Sequence, residues 1–457
     1  MTFRFGRTIR IAASIVRNEG PRALADRAAD RASEWRRRRE FPPAPNPLPA
    51  ISMVNLLGTP PAPRLGGVQT QLLHRLAREG RSRTVALLYP DGDALRLEIE
   101  QAGNRMHRRF PAARAALLPL RDAGFEDAVS EALRRTGARA LHVENPAGLP
   151  LESLARLAQS ALLVLSVHDF SPICARTDLL ERPRLRFCGY CDDDRRCAAC
   201  LGREDPPDAA FAREHRLAGR ALLRAAAATV FPSRFLRDAL AARVPGLDPA
   251  RLHVIPPDPP RALPDPERAA ARPVRHVAFV GAVTVQKGAR EFADVVREIA
   301  PRFPGVRWSA FGKGDGGELA SLRRQGGIRI RGYYRSGALP AVLARERVDL
   351  ALALSITPES YGLTVDECLA AGVPVLAFDH GAIPERLRGR GGWLVAPERG
   401  ARGIAEALAG LLAAGRALPA PRPAEPADAA AAHLALYRSL GLLPPPSEPA
   451  GRETTEA

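Results

Sequence analysis

Short apolar runs alternate with longer polar stretches through the first half of the chain. The apolar runs lie at residues 51–57, 84–88, 140–143, 162–167 and 229–231. The intervening stretches have the periodicity of amphipathic helices, the first of them at residues 68–79. This alternation predicts a doubly wound sheet of parallel strands. We therefore predict an α/β domain over residues 51–258.

The pattern begins again after a proline-dense connector at residues 252–273. Strands are predicted at residues 276–280, 307–311, 328–331, 350–354, 373–378 and 393–395. Helices are predicted at residues 289–299, 318–325, 339–345, 365–371 and 403–413. A second Rossmann-like domain therefore covers residues 273–418, and one more helix follows at residues 427–441. Two such domains that face each other leave a cleft at the carboxyl ends of their strands, where these sheets bind ligands.

Both ends of the chain depart from this pattern. Residues 1–50 form a basic extension, in which an arginine-rich helical stretch to about residue 40 precedes a stiff proline-rich linker. The helical stretch is either a peripheral anchor on an anionic membrane or a solvated segment. No apolar run reaches the roughly 18 residues of a spanning helix, so we expect a cytoplasmic protein, peripheral on the inner membrane face if the anchor binds. Residues 444–457 are predicted to be disordered.

The net charge of +17 favours anionic partners, which include phosphorylated substrates, phospholipid and nucleic acid. Arginine supplies almost all of the positive charge, because lysine occurs only at positions 287 and 313. Aromatic residues make up 5% of the chain, too few for the stacking platform that single strands need. We therefore expect no nucleic-acid partner and keep a zinc-containing nucleic-acid-binding protein as an alternative.

Two glutamates flank a glycine-containing turn in the segment PESYGLTVDE, which joins a predicted strand to a predicted helix. A helix N-terminus with free amides can bind phosphate, and the carboxylates of Glu359 and Glu367 can accept hydrogen bonds from sugar hydroxyls. The spacing Thr364-x-x-Glu367 also predicts a capping box, which would give Glu367 a purely structural role. The corresponding alternative for Glu359 is a solvated loop residue.

A second segment points to the same chemistry. Gly281 ends a predicted strand, and Lys287 and Gly288 open the next helix. A lysine at a helix N-terminus opposes the helix dipole unless an anion is bound there. The alternative is an exposed lysine in a turn.

Four segments of the second domain together resemble the retaining GT-B glycosyltransferases of the family-4 type: FVGAVTVQKG, FGKGDGG, RGYY and PESYGLTVDECLAAGVPVLAFDHGAIPE. The first domain resembles the family more weakly, through Gly66-Gly67, Val167-His168-Asp169 and Phe231-Pro232-Ser233-Arg234. This resemblance implies a GT-B fold and transfer of a sugar from a nucleoside-diphosphate donor to an acceptor hydroxyl. The implied acceptor is a cell-surface polysaccharide or a lipid-linked glycan.

The resemblance also implies roles for individual residues. Glu367 would bind the ribose, Glu359 the transferred sugar, and Lys287 the leaving diphosphate. The remaining implied donor contacts are the amides of Gly362, Leu363 and Thr364, with Gly66, Gly67, Gly281, Gly288, Tyr333 and Tyr361. His168 would lie near the reacting carbon, although a lone histidine at a strand end is more often structural.

One position departs from the family. An arginine usually follows the glycine of the first strand as a second diphosphate contact, and here that position is Ala282. Arg335 and Arg290 are the predicted substitutes. A nucleotide-sugar epimerase and a non-catalytic donor-binding scaffold are further alternatives, the latter because of Ala282.

The spacing Cys188-x2-Cys191-x5-Cys197-x2-Cys200 is typical of a tetrahedral thiolate site, within an insertion at about residues 174–203. We predict a structural zinc ion there, in preference to an iron–sulfur cluster. The alternative is a loop with four reduced thiols. No catalytic metal is expected.

Overall fold

The computed structural model describes residues 41–61, 67–112, 120–182, 184–202, 209–263, 273–314, 316–335 and 337–445. The arginine-rich stretch 1–40, Gly66 and residues 446–457 lie outside the described residues. The predictions made for them therefore stay predictions.

An eight-stranded sheet forms the first domain. Its strands are β1 Met53–Leu56, β2 Val85–Asp91, β3 Ala94–Gln101, β4 Asn104–Pro111, β5 Ala140–Val143, β6 Leu162–Ser166, β9 Ala228–Phe231 and β10 Leu252–Val254. A two-stranded hairpin in the cysteine-containing insertion supplies β7 Leu180–Glu181 and β8 Arg186–Phe187. The helices are α1 Gly67–Glu79, α2 Ala123–Thr136, α3 Leu151–Leu157, α4 Asp194–Leu201, α5 Ala209–Ala225 and α6 Arg234–Ala241. The sheet order is β10-β9-β6-β5-β1-β2-β3-β4.

The predicted parallel sheet is confirmed from β10 to β2, but the other edge is antiparallel. Strands β3 and β4, which the sequence did not predict, form a hairpin that pairs with β2. The hairpin turns at Ala102 and Gly103, both with positive φ. Its strand pattern is obscured by charged residues that pair inside the fold: Arg96 and Glu98 are buried, and their side chains lie 3.2 Å apart.

A six-stranded parallel sheet forms the second domain. Its strands are β11 His276–Val280, β12 Arg307–Phe311, β13 Ile328–Gly332, β14 Leu350–Ala353, β15 Val375–Phe378 and β16 Gly392–Val395. The helices are α7 Ala289–Ile299, α8 Gly316–Gln325, α9 Leu339–Arg345, α10 Leu363–Ala370, α11 Ile383–Leu387 and α12 Gly400–Ala413. The sheet order is β13-β12-β11-β14-β15-β16. The prediction of a second Rossmann-like domain is confirmed.

The order of these strands places a ligand crevice between β11 and β14. After β11 the chain forms β12 and β13 on one side of that strand. It then crosses to the other side of β11 and forms β14. Loops that leave adjacent strands in opposite directions open a crevice at the carboxyl edge of the sheet. Residues 281–288 and 354–362 leave the sheet at this point.

Segments outside the two predicted domains also pack on the first of them. Helix α13, Ala429–Ser439, buries Leu436 and Tyr437 in a cluster with Met53 of β1. The predicted linker 41–50 is not free, because Leu48 is buried in the core and the Ala44 amide donates to the His107 carbonyl at 2.8 Å. Strand β10 likewise belongs to the first sheet, so the connector between the domains begins after it.

A membrane-crossing helix would have to be both long and strongly apolar. No helix in the part of the chain described by the structure meets both conditions.

Candidate active site

A cavity of about 770 Å³ opens between the domains at the carboxyl ends of β11, β12 and β14. The predicted donor-binding residues that line it are Gly67, Gly281, Lys287, Tyr333, Glu359, Tyr361, Gly362, Leu363, Thr364 and Glu367. The structure therefore brings most of the predicted site together. Gly288 and His168 do not line this cavity.

Lys287 and Glu359 form an ion pair in the cavity. The Lys287 Nζ lies 2.5 Å from Glu359 Oε1, and the Ser355 hydroxyl donates to the same carboxylate oxygen. Burial disfavours the Glu359 carboxylate, but the Lys287 charge and these hydrogen bonds outweigh it and lower the pKa of Glu359. Glu359 is therefore an ionised, doubly hydrogen-bonded carboxylate and not a solvated loop residue.

The second predicted glutamate has a different environment. Burial raises the pKa of Glu367 to about 7, because a hydrogen bond from the Gly337 amide offsets only part of the desolvation and nearby Asp366 adds to the shift. Unlike Glu359, this carboxyl forms no ion pair with a cation among the residues that the structure describes. The two carboxyls thus differ in charge near neutral pH.

Helix α10 begins differently from the prediction. Its N-cap is Gly362, with a φ of 90°, and no side chain caps the helix. The predicted capping box of Thr364 and Glu367 is therefore wrong, because the glycine enters the helix through the left-handed region and places Thr364 inside the first turn. Gly362, Leu363 and Thr364 line the cavity, and a capping role no longer explains Glu367.

The backbone at Gly288 holds the Lys287 loop against the β14 loop. Gly288 is the N-cap of α7 with a φ of 83°, and a Cβ there would lie 1.9 Å from the Leu354 carbonyl oxygen. The Ile356 amide donates to the Gln286 carbonyl at 2.9 Å. Because Gly288 has no Cβ, the loop that carries Lys287 can contact the loop after β14, and this contact positions Lys287 without Gly288 lining the cavity.

The first domain contacts the second at this site. A Cβ at Gly67 would lie 2.4 Å from the Leu363 Cδ1, so α1 begins in close contact with α10. The Ser233 hydroxyl donates to the Ser360 carbonyl at 2.6 Å. The Phe235 amide, at the start of α6, donates to the Glu385 carboxylate at 2.5 Å. These contacts join the two domains beside the cavity, which Gly67, Ser360 and Leu363 line.

His168 lies in a smaller adjoining cavity of about 60 Å³ that both domains line. Burial and the nearby Arg75 lower the pKa of His168 to about 4, so its imidazole is neutral at pH 7. Arg75 itself pairs with Glu79 and Glu144, with each N–O distance 2.5 Å. The structure places His168 beside the donor cavity, near the Ser360 and Leu363 that line both.

Three other polar residues lie away from the cavity: His142 and the two arginines predicted to substitute at the diphosphate. His142 is fully buried, with its ring nitrogens 2.9 Å from the Tyr437 hydroxyl and 2.8 Å from the Ser166 hydroxyl. That arrangement gives His142 a structural role. Arg290 is directed to Glu318, at 2.9 Å, and neither Arg290 nor Arg335 lines the cavity. The prediction that either arginine replaces the one missing at Ala282 is therefore not supported by their positions.

The four predicted metal ligands line a separate cavity of about 470 Å³ in the first domain, together with Cys174. Their thiols contact backbone: Cys197 Sγ donates to the Cys191 carbonyl at 3.5 Å and Cys200 Sγ to the Leu180 carbonyl at 3.6 Å. Burial raises the pKa of Cys197 to about 12, with the neighbouring Cys191 adding to the shift. Within the described residues, no three His, Cys, Asp or Glu side chains are arranged to share a metal ion.

Sequence comparison identifies the class of protein to which this fold and site belong. Residues 274–414 match the family described as glycosyl transferases group 1, and residues 66–258 match the glycosyl transferase 4-like domain. The chain belongs to this glycosyltransferase family, and its two facing Rossmann-like domains are a GT-B fold.

Individual relatives agree with this assignment. A D-inositol 3-phosphate glycosyltransferase from Mycobacterium avium (strain 104) is 35% identical over 206 residues, which are 42% of this chain and 46% of the relative. The chain thus spans about half the length of the curated relatives it matches.

Solved structures share the fold at low sequence identity. Sucrose-phosphate synthase from Thermosynechococcus elongatus superposes with a TM-score of 0.58 at 18% identity, covering 85% of this chain and 99% of that one. Anabaena Alr3699/HepE, crystallised with UDP and glucose, superposes with a TM-score of 0.52 at 15% identity, covering 86% and 100%.

Three features of the site were not predicted from the sequence. Ser355 donates to Glu359, Glu385 reaches across to the first domain, and Lys313 lines the donor cavity. Lys313 carried a signal, as the second of only two lysines in the chain. Glu385 ends the segment that resembles the family, but neither its contact with the first domain nor the contact of Ser355 had a signal, because these partners are set by the tertiary fold.

Proposed function

We propose that the protein transfers a sugar from a nucleoside-diphosphate donor to an acceptor hydroxyl with retention of the anomeric configuration. One observation carries this proposal: the Lys287 ammonium, the Glu359 carboxylate and the uncapped amides of α10 meet in one cavity at the switch point of the sheet. A cation and free amides suit a diphosphate, and a fixed carboxylate suits sugar hydroxyls.

Each group then has a definite role. The amides of Gly362, Leu363 and Thr364 would hold the diphosphate, and Lys287 would stabilise the negative charge that develops on it as it leaves. Because these groups are already in place before the reaction, their stabilisation of that charge needs little reorganisation. Glu359 would orient the sugar, and the leaving diphosphate would accept the proton from the acceptor hydroxyl.

The ion pair between Lys287 and Glu359 fits this assignment. The two charges neutralise each other across an N–O distance of 2.5 Å. Donor binding would share the lysine with a phosphate oxygen and the glutamate with a sugar hydroxyl. The neutral imidazole of His168 would contribute a hydrogen bond near the acceptor, without adding a positive charge that would compete for the diphosphate.

The identities of donor and acceptor rest on relatives and resemblance. HepE was crystallised with UDP and glucose, which supports a UDP-sugar among the donors to be tested. The proposed acceptor is a surface polysaccharide or a lipid-linked glycan. The proposed location is cytoplasmic, with attachment of residues 1–40 to an anionic membrane surface.

The purified full chain should bind a nucleoside-diphosphate sugar and hydrolyse it slowly without an acceptor. We expect one member of a panel of UDP- and GDP-sugars to raise the thermal unfolding midpoint and to release its nucleoside diphosphate. No shift and no release with any donor would contradict the proposed function. Conversion of the donor into an isomeric nucleotide sugar would instead identify an epimerase.

We also propose that Cys188, Cys191, Cys197 and Cys200 bind a structural zinc ion. Their spacing and their shared cavity support this, as does a hydrogen bond to one of the sulfurs: the Arg182 amide donates to Cys200 at 3.5 Å. An amide directed at sulfur favours the thiolate form that a metal requires. Zinc binding would replace the present thiol contacts to backbone carbonyls with bonds to the metal.

Metal analysis of the purified chain should find about one zinc ion per molecule. The double variant C188S/C191S should lose the metal and unfold at a lower temperature. Cys174→Ser is the matched control, because Cys174 lines the same cavity outside the four-cysteine spacing. Wild-type protein without metal, or equal loss of metal in the Cys174 variant, would refute this assignment.

A further inference from the structure

We propose that Lys313 is the second cation that binds the diphosphate of the donor. This inference rests on the proposed function and concerns the same cavity. Lys287 and Lys313 are the only lysines in the chain, and both line the donor cavity. A compact ammonium on a flexible stem can approach a phosphate oxygen from several directions, whereas a guanidinium needs a planar match.

The backbone fixes Lys313 beside the position where the family carries its arginine. A Cβ at Gly312 would lie 1.8 Å from the Gly281 carbonyl oxygen and 3.2 Å from the Ala282 amide nitrogen. The Val283 amide donates to the Lys313 carbonyl at 2.8 Å, so the loops after β11 and β12 run side by side.

The local conformation directs the lysine side chain into the cavity. Residues 312–314 are extended, and Gly314 forms a parallel β-bridge with Val283. A Cβ added at Gly312 would lie 1.8 Å from the Gly281 carbonyl oxygen, and one added at Gly314 would lie 3.1 Å from the Val283 Cβ. Both positions therefore face the loop after β11. Because side chains alternate along an extended segment, Lys313 points away from that loop. Its side chain is exposed and lines the cavity.

The positive charge of Lys287 is neutralised by an ion pair, whereas that of Lys313 is not paired within the described residues. Lys287 is held by Glu359 at 2.5 Å, which leaves this part of the cavity close to neutral. No ion pair between described residues involves Lys313. A diphosphate that enters the cavity would bring two negative charges, and a second cation beside Lys287 would offset part of them.

The other cations near the site are less well placed. Arg261 lines the cavity, but its segment is fixed by the Leu263 amide, which donates to the Ala370 carbonyl at 2.9 Å. Ala370 ends α10, about 11 Å along the helix from the amides that would hold the phosphates. Arg290 is turned to Glu318 outside the cavity. Lys313 alone among these three lies on the β12 loop that adjoins Gly281 and Ala282.

Calorimetric titration of the full chain with UDP, GDP and inorganic pyrophosphate tests this assignment. Lys313→Met should weaken binding of pyrophosphate and of the preferred nucleoside diphosphate about tenfold, because one charge-assisted hydrogen bond is lost. Arg324→Met is the matched control, because Arg324 is exposed on α8 outside the cavity, and it should leave both affinities within about twofold of the wild type. The unfolding midpoint should not change, since Lys313 is exposed.

A second variant tests the position of the charge. Adding Ala282→Arg to Lys313→Met should recover most of the lost affinity, since a cation at position 282 would extend from the loop that adjoins residue 313. If Lys313→Met binds as tightly as the wild type, or if Arg324→Met weakens binding equally, the inference is overturned while donor binding stands. If the wild type binds none of the three probes, both the inference and the proposed function are overturned.

Discussion

Glu359→Gln should reduce sugar transfer by roughly 30- to 4000-fold while nucleotide binding is retained. Removing one partner of a buried, hydrogen-bonded charge pair costs about 2–5 kcal/mol, and 1.4 kcal/mol corresponds to tenfold in rate. The amide cannot hold Lys287 as the carboxylate does at 2.5 Å, nor orient a sugar hydroxyl with the same strength. Because Lys287 becomes free to meet the diphosphate, the affinity for the nucleoside diphosphate should stay the same or increase.

Steady-state kinetics together with calorimetry would separate these two effects. The matched control is Glu398→Gln, the same change at an exposed position of the same domain, which should leave both transfer and binding unchanged. A Glu359→Gln enzyme with wild-type turnover would exclude this carboxylate from the reaction. Equal loss of binding and turnover would instead give Glu359 a role only in holding the site together.

The sheet of the second domain could be predicted from the sequence almost residue by residue. Strands 276–280 and 307–311 and helices 289–299 and 339–345 match the structure at both ends. These elements are apolar runs buried in the middle of a parallel sheet, or amphipathic helices that cover it, and such positions leave a clear hydrophobic pattern. The antiparallel hairpin 94–111 was missed because its buried charges interrupt that pattern.

The site could be predicted only as a set of separate motifs. Lys287 and Glu359 are 72 positions apart, and their direct pairing depends on the adjacency of β11 and β14. The contact between Glu385 and the start of α6 depends further on how the two domains meet. At Thr364 the local rule failed, because the helix has its N-cap at Gly362, two residues before the hydroxyl to which the rule assigned that position.

The same dependence on backbone contact predicts a large effect at a residue that lies outside the donor cavity. Gly288→Ala should destabilise the second domain and weaken donor binding, because its Cβ would lie 1.9 Å from the Leu354 carbonyl oxygen. Any L-residue there also adopts a φ of 83°, at a cost of about 1–2 kcal/mol. Separating the two loops adds about 1–3 kcal/mol, the usual cost of overpacking. Separation of the two loops would also move Lys287 away from Glu359.

Gly326→Ala is the control that isolates the close contact. Gly326 has a similar φ of 72°, but no atom lies within 4 Å of the Cβ that alanine would add. It should therefore show only the conformational cost and bind the donor nucleotide normally. Urea unfolding and calorimetric titration of both variants measure the difference. If the two substitutions lower the free energy of unfolding equally, the contact with Leu354 does not constrain the loop, and the rigid placement of Lys287 against Glu359 must have another origin.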